Sequence, residues 1–459
     1  MKKESNFLHR FIEPGFLSRL LPLALPIALQ NLLTSTFAAI DTLMVGQLGD
    51  TAIAAVGAAA QIANVINIIM FGVASGGSVF VSQYWGARDH RRIHHAHGLM
   101  LTGIIPAVIL FTLAVFSFPT QLMGLFSKDP EMIQLGADYL RFACFSYIGV
   151  AFNQVWSTVL RCTEETRIPM FSNISAVFVN LVFNYIFIFG KFGAPAMGVA
   201  GAALATVISS IVPPIVMMLW SARKRNLLAS GFTELFTYDL KFVKQFVLRA
   251  LPVLLNEGVW VIGYTIYNMV FGRLGTDNYA ALTICRTVEN IAYSFFIGVC
   301  NATNVIIGKS VGAGELEEAK AHAKSCMFLF TGASLIVGLA MLVLRDPILS
   351  LFSISDVVRS TTRTLLLIYC IELVLRNTPY ILIVGVFRGG GDTRVGMKLD
   401  LLVMYLATIP AVLLSAFVFN LPFVAVYIIM LLFDDVIKSF FGFRHFLSMR
   451  WIQPVVDHH

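Results

Sequence analysis

In the run FAAIDTLMVGQLGD, residues 37–50, Asp41 stands at the end of a long apolar stretch that also holds Pro22 and Pro26. A carboxylate deep in a membrane helix costs roughly 3 kcal/mol or more, so an acid kept there is a candidate for proton or cation chemistry. Protonation removes the desolvation penalty and changes the hydrogen bonds the carboxyl can make, and prolines make the helix cheap to bend. Titration of Asp41 could therefore reweight two helix conformations. Asn180 and Asn184 are spaced i, i+4, and Asn64 and Asn67 i, i+3, each pair on one helix face. These four amides could hydrogen-bond the acid, or simply join helices as membrane amides commonly do.

A second group lies further along. Glu257 follows Pro252 by five residues and has no charged neighbour at helical spacing, whereas Arg286 and Glu289 are i, i+3 and Glu372 and Arg376 are i, i+4. The last two pairs read as self-neutralising ion pairs as readily as functional groups. A hard cation wants several oxygens, and Glu257, Glu289, Asn290 and the backbone around Pro252 could supply them. His90, His94, His95 and His97 sit with Arg91 and Arg92, whose charge would compete with a metal, so no metal site is expected. Gly389-Gly390-Gly391 lacks the Lys-Ser/Thr of a phosphate loop, and no nucleophile and base arrangement stands out. The chain reads as a non-enzyme without a cofactor beyond a coupling ion. Its six cysteines show no paired spacing and read as free, buried thiols.

The elements that must hold these groups follow from composition. The chain has 459 residues, 57% hydrophobic and 13% charged, with a mean hydropathy of +0.79. That is the signature of an all-α polytopic membrane protein. Twelve spans are expected near 17–45, 52–84, 97–118, 132–160, 168–189, 198–221, 246–271, 279–308, 323–344, 361–387, 395–418 and 422–445. The last two are divided at Asn420-Leu421-Pro422, because the uncharged run from 401 to 433 is too long for one span. Lys and Arg concentrate in alternate connections and at both ends, Lys438 among them, which places both termini in the cytoplasm and accounts for the net charge without a nucleic-acid partner. No cleavable leader is evident at the N-terminus.

An internal repeat organises the spans. A shift of 226 residues matches Ala24-Leu25-Pro26 to Ala250-Leu251-Pro252, Gly46-x-Leu48-Gly49 to Gly272-x-Leu274-Gly275, and Gly72-Val73 to Gly298-Val299. It pairs Asp41 with Tyr267, so the acid is particular to the first half. The expected layout is an N-terminal six-helix bundle over 1–221, a cytoplasmic linker over 222–245 and a C-terminal six-helix bundle over 246–459. Within the linker, FTELFTYDLKFVKQF reads as an amphipathic helix along the membrane surface. The run AMGVAGAALA, 196–205, reads as a small-residue face for close helix packing.

The Asp-Thr-x-x-Val-Gly-x-Leu-Gly pattern from Asp41, LRCTEETRIP, FRGGGDTRVG and NYIFIFGKFGAPAMGVAGAALAT together resemble the multidrug and toxic-compound extrusion (MATE) family, nearest its bacterial branch. The resemblance covers nearly the whole chain. It implies two bundles around a V-shaped central cleft in a bacterial plasma (inner) membrane, and a secondary active antiporter exporting hydrophobic or cationic compounds in exchange for H⁺ or Na⁺. By motif match, Asp41 and Glu257 inherit cation-coupling roles. Asn184 and Asn377 stand where some members carry acids, which shifts the expectation toward H⁺; whether Glu372, five residues before Asn377, compensates is left open by the resemblance. Drug-like compounds and membrane lipid are the expected partners of a monomer. The alternative is a lipid-linked precursor flippase of the same superfamily, which would need several unpaired Arg or Lys in its cleft. Only Arg286 and Arg376 lie within spans of that kind, both beside acids.

Overall fold

Hydrocarbon offers a backbone no hydrogen-bond partner, so apolar segments of this length must satisfy their N–H and C=O groups internally, as helices. The computed structural model describes residues 12–229, 232–350 and 354–456. Its helices are α1 (Phe16–Gly46), α2 (Asp50–Gly86), α3 (His90–Ser117), α4 in two pieces (Pro130–Ala143 and Ser146–Cys162), α5 (Arg167–Phe189) and α6 (Val199–Lys224). The second half repeats the series as α7 (Leu240–Arg273), α8 (Thr276–Gly312), α9 (Leu316–Ser350), α10 (Asp356–Gly390), α11 (Thr393–Val418) and α12 (423–447). Ten of these, all but α4 and α12, are long and apolar enough to cross a bilayer. The break between α11 and α12 falls where Asn420 takes a left-handed φ of 49° and Pro422 opens the next helix.

Two features differ from the sequence reading. The linker forms no surface helix over 232–246: after short 3₁₀ turns at Leu227–Ala229 and Phe232–Glu234, α7 starts at Leu240 and runs unbroken to Arg273. Asp239 sets that start, since its Oδ1 accepts from the Phe242 backbone N–H at 2.8 Å. Leu235, Phe242 and Phe246 are buried, and Phe80 of α2 meets the rings of Phe242 and Phe246 at 5.8 and 5.2 Å, so the apolar face covers protein instead of lipid. Secondly, α10 to α12 contain π-helical turns at Ile381–Phe387, Asp400–Thr408, Leu414–Val418 and Leu432–Val436. Such turns insert an extra residue and re-aim the side chains around them.

The chain divides into two compact units, one of residues 1–28, 86–88 and 251–459, the other of 29–85 and 89–250. The start of α1 thus belongs with the second half, and the start of α7 with the first. In the former unit α1 crosses α8 so closely that a Cβ on Gly298 would lie 2.7 Å from the Ala28 nitrogen and 2.9 Å from the Ala24 carbonyl oxygen. In the other unit α7 crosses α2 in the same manner, a Cβ on Gly76 falling 2.5 Å from the Ala250 Cα. Ala24 and Ala250 are repeat mates, so equivalent helices cross in each unit, through glycines that lie one turn apart in the repeat.

Candidate functional site

The first candidate site is built by α1, α4, α5 and α6. Small residues allow it: α6 approaches α5 until a Cβ on Gly201 would meet the Phe187 carbonyl oxygen at 2.5 Å. Val45, Ala52, Ile188, Val199 and Ala202 then close a small core beside the acid. Against this wall, the fully buried Asn184 donates its amide to the partly buried Asp41 and also to Asn180 Oδ1 at 3.0 Å. Asn180 donates in turn to Ser209 Oγ at 3.3 Å, and Tyr139 packs against the small core beside the acid. The amide oxygen of Asn184 is buried without a partner among the described residues. An acceptor left open beside a carboxyl can take a proton-bearing Asp41 or contribute an oxygen to a small cation. The i, i+4 spacing of Asn180 and Asn184 therefore sets Asn184 on the acid and Asn180 behind it, as Asn184's second partner. Asn64 and Asn67 are not brought there: both are exposed on α2, and Asn64 bonds Gln61 of its own helix at 3.4 Å.

The second candidate group separates into distinct contacts. Glu257 does have a partner, the guanidinium of the buried Arg388, at 2.6 Å. Arg388 opens the RGGGDTR element and is 131 residues away in sequence, which is why helical spacing around Glu257 did not reveal it. Asn256, Asp392, Thr393 and Gly396 line a narrow crevice beside this pair. The local pairs also re-sort. Arg286 donates to Asn268 and lies over the Tyr264 ring at 4.5 Å, while Glu289 takes Arg376 at 3.5 Å and the Tyr427 hydroxyl at 3.3 Å. Glu289 pairs across helices because α8 and α10 pack face to face, whereas i, i+3 and i, i+4 side chains need not turn toward each other. Asn290 is exposed, and the buried Asn377 donates to Ser334 Oγ at 2.8 Å.

Several buried ions escaped the sequence reading. Lys438 is 4% exposed and bonds Asp400 at 2.7 Å and Asp434 at 2.9 Å, so it is an interior charge of α11 and α12 rather than a cytoplasmic one. Asp434 and Lys438 are i, i+4 in an otherwise apolar run, a signal that would have placed them inside. Elsewhere, Glu13, Glu318 and His322 converge closely enough for a metal, but Arg19 Nη1 lies 2.7 Å from Glu318 and 3.2 Å from His322 Nε2, which makes this an ion-pair cluster. The six cysteines are free, and all but Cys370 are buried.

These helices and the crossing that recurs in each unit define a polytopic, all-helical membrane fold built on an internal repeat. The MatE family model matches residues 26–186 and 252–414, and the chain belongs to that family. It is 24% identical over 457 residues to the probable multidrug resistance protein NorM of Thermotoga maritima, covering 98% of this chain and 96% of that one. It is 28% identical over 389 residues to the multidrug resistance protein NorM of Burkholderia vietnamiensis, covering 82% of each. A MATE crystal structure in the bent conformation superposes with a TM-score of 0.85 at 18% identity, over 96% of this chain and 97% of that one. The protein is a MATE-family transporter and not an enzyme.

Proposed function

We propose that the chain is a secondary active multidrug antiporter that exports hydrophobic and cationic compounds in exchange for protons through Asp41. One observation carries this reading: a lone acid of a membrane helix whose neighbours are amides and hydroxyls, one of them with an open acceptor. Amides can donate to the ionised form and accept from the protonated form, so the site accommodates both states without a counter-ion. With Asn184 and Asn377 in place of acids, a sodium ion would find one formal negative charge at Asp41, which favours H⁺. The relatives named multidrug resistance proteins support the substrate class. The flippase alternative needs free cations for a pyrophosphate, and Arg286 and Arg376 are already engaged by Asn268, Tyr264 and Glu289.

Reconstitution tests the proposal. In proteoliposomes free of Na⁺, an imposed pH gradient is expected to drive ethidium efflux, and Asp41→Asn to reduce it at least ~100-fold at unchanged protein level, the scale of losing an interaction worth about 3 kcal/mol. Efflux that needs a Na⁺ gradient and ignores ΔpH would overturn the proton assignment.

A further inference from the structure

The buried ions joining α11 to α12 do not balance. Lys438 Nζ lies 2.7 Å from Asp400 Oδ1 and 2.9 Å from Asp434 Oδ1, so two carboxyls converge on one ammonium. The Thr408 hydroxyl lies 3.5 Å from the same Asp434 oxygen. Asp400 opens the π-helical turn Asp400–Thr408, Asp434 lies inside the π-helical turn Leu432–Val436, and the two turns pack against each other. Such turns re-aim side chains and recur at functional sites. No other cation bonds either acid among the described residues. Arg394 and Lys398 on α11 and Arg444 on α12 are exposed. On α10, which packs on the second π turn, Arg376 is taken by Glu289 of α8, and Glu372 is another acid, as is Asp435 on α12 itself. On α7, Tyr267 shares a buried core with Met404 of α11 and Met430 of α12, and brings no positive charge.

We propose that Asp400, Asp434 and Lys438 form a second proton-binding site, in a different unit from Asp41, in which the two acids and one ammonium together hold one proton. The ammonium neutralises one carboxylate; the other would leave a net charge in a buried setting, and a proton on one carboxyl oxygen cancels it. A metal ion fits this site less well, because the ammonium already between the acids repels it. Asp434 is the way in: its side chain is 18% exposed against 8% for Asp400. It also stands i, i+4 from Lys438 on the same helix, so it can leave and rejoin the ammonium while Asp400 keeps α11 tied to α12. The site deepens the exchange reading and rests on it only for its transport consequence, a second proton carried per cycle.

Infrared difference spectroscopy of the purified full-length chain tests the triad without transport, because charge balance fixes how many protons it holds. In an Asp41→Asn background at neutral pH, the protonated-carboxyl stretch that shifts in D₂O is expected to lose the intensity of one carboxyl in Asp434→Asn. Asp400→Asn should lose the same amount, since the acid that remains then pairs with Lys438. Lys438→Met should gain the intensity of one carboxyl, since both acids are then without an ammonium. The amide band in the same spectra reports whether the helices are intact, and if Lys438→Met does not fold, the two isosteric Asp→Asn variants decide. A stretch that neither Asp→Asn change reduces, or that only one of them reduces, overturns the proposal. A sodium-driven cycle would sink the coupling proposal and leave these changes in place; their absence alongside ΔpH-driven efflux would do the reverse.

Discussion

At the scale of single residues, the contact between Glu257 and Arg388 changes what Glu257 is expected to do. Arg388 is 2% exposed, and breaking a buried ion pair from one side leaves a charge that the interior must bear, at a cost of about 3–5 kcal/mol. Glu257→Gln is therefore expected to lower the melting temperature in detergent by several degrees, and Glu257→Leu combined with Arg388→Met to recover most of that loss. An unchanged melting temperature in the single variant, with transport lost, would return Glu257 to the coupling machinery. Asp41 was legible because it interrupts an apolar run, and Asn184 because it shares a face with Asn180. Arg388 was hidden because sequence spacing reports neighbours on one helix and not across a bundle. Asp434, Asp435 and Lys438 carried a readable spacing, but an unexpected π-helical turn decides which way they point.

The helices themselves depend on close crossings. A side chain on Gly298 would strike the backbone of α1 at Ala24 and Ala28, atoms that cannot rotate away. Gly298→Val is expected to cost about 3 kcal/mol through overpacking and to cut folded yield several-fold by fluorescence size exclusion. Gly332→Ala, in the middle of α9 with nothing near its Cβ, should be neutral or slightly stabilising on helix propensity. Equal effects of the two substitutions would show that the crossing is not what the glycine serves. At this scale the sequence marked helices by length and apolarity, and the α11 to α12 break by Asn420-Leu421-Pro422. It misread the linker, since amphipathicity says that a face is covered but not whether lipid or protein covers it.

For the molecule as a whole, the repeat was visible in matched motifs, whereas the allotment of the starts of α1 and α7 to opposite units was not, because a repeat reports ancestry and not contact. Neither sequence half contains a complete unit. Expressed alone, fragments 1–221 and 222–459 are each expected to be degraded or aggregated, and co-expressed they should copurify and transport. A monodisperse, stable half on its own would contradict this. Residues 29–85 and 89–221 lack the α7 start that buries Phe80 against Phe242 and Phe246, and residues 251–459 lack Phe16, Leu20 and Ile27, all buried in the full chain.

That reciprocal loan of helix ends bears on how such a chain could have begun. The two prolines that accompany it, Pro26 and Pro252, are repeat mates, as are Ala24 and Ala250, so the loan is written into each repeat separately. A single six-helix ancestor with the same sequence habit could complete its fold only by lending its first helix to a second copy, as a domain-swapped dimer whose assembly depends on concentration. Joining the copies through one linker makes the swap intramolecular and the partner's effective concentration fixed. Fusion would then free each half to diverge, so that an acid on α1 could face a tyrosine at the matching position of α7.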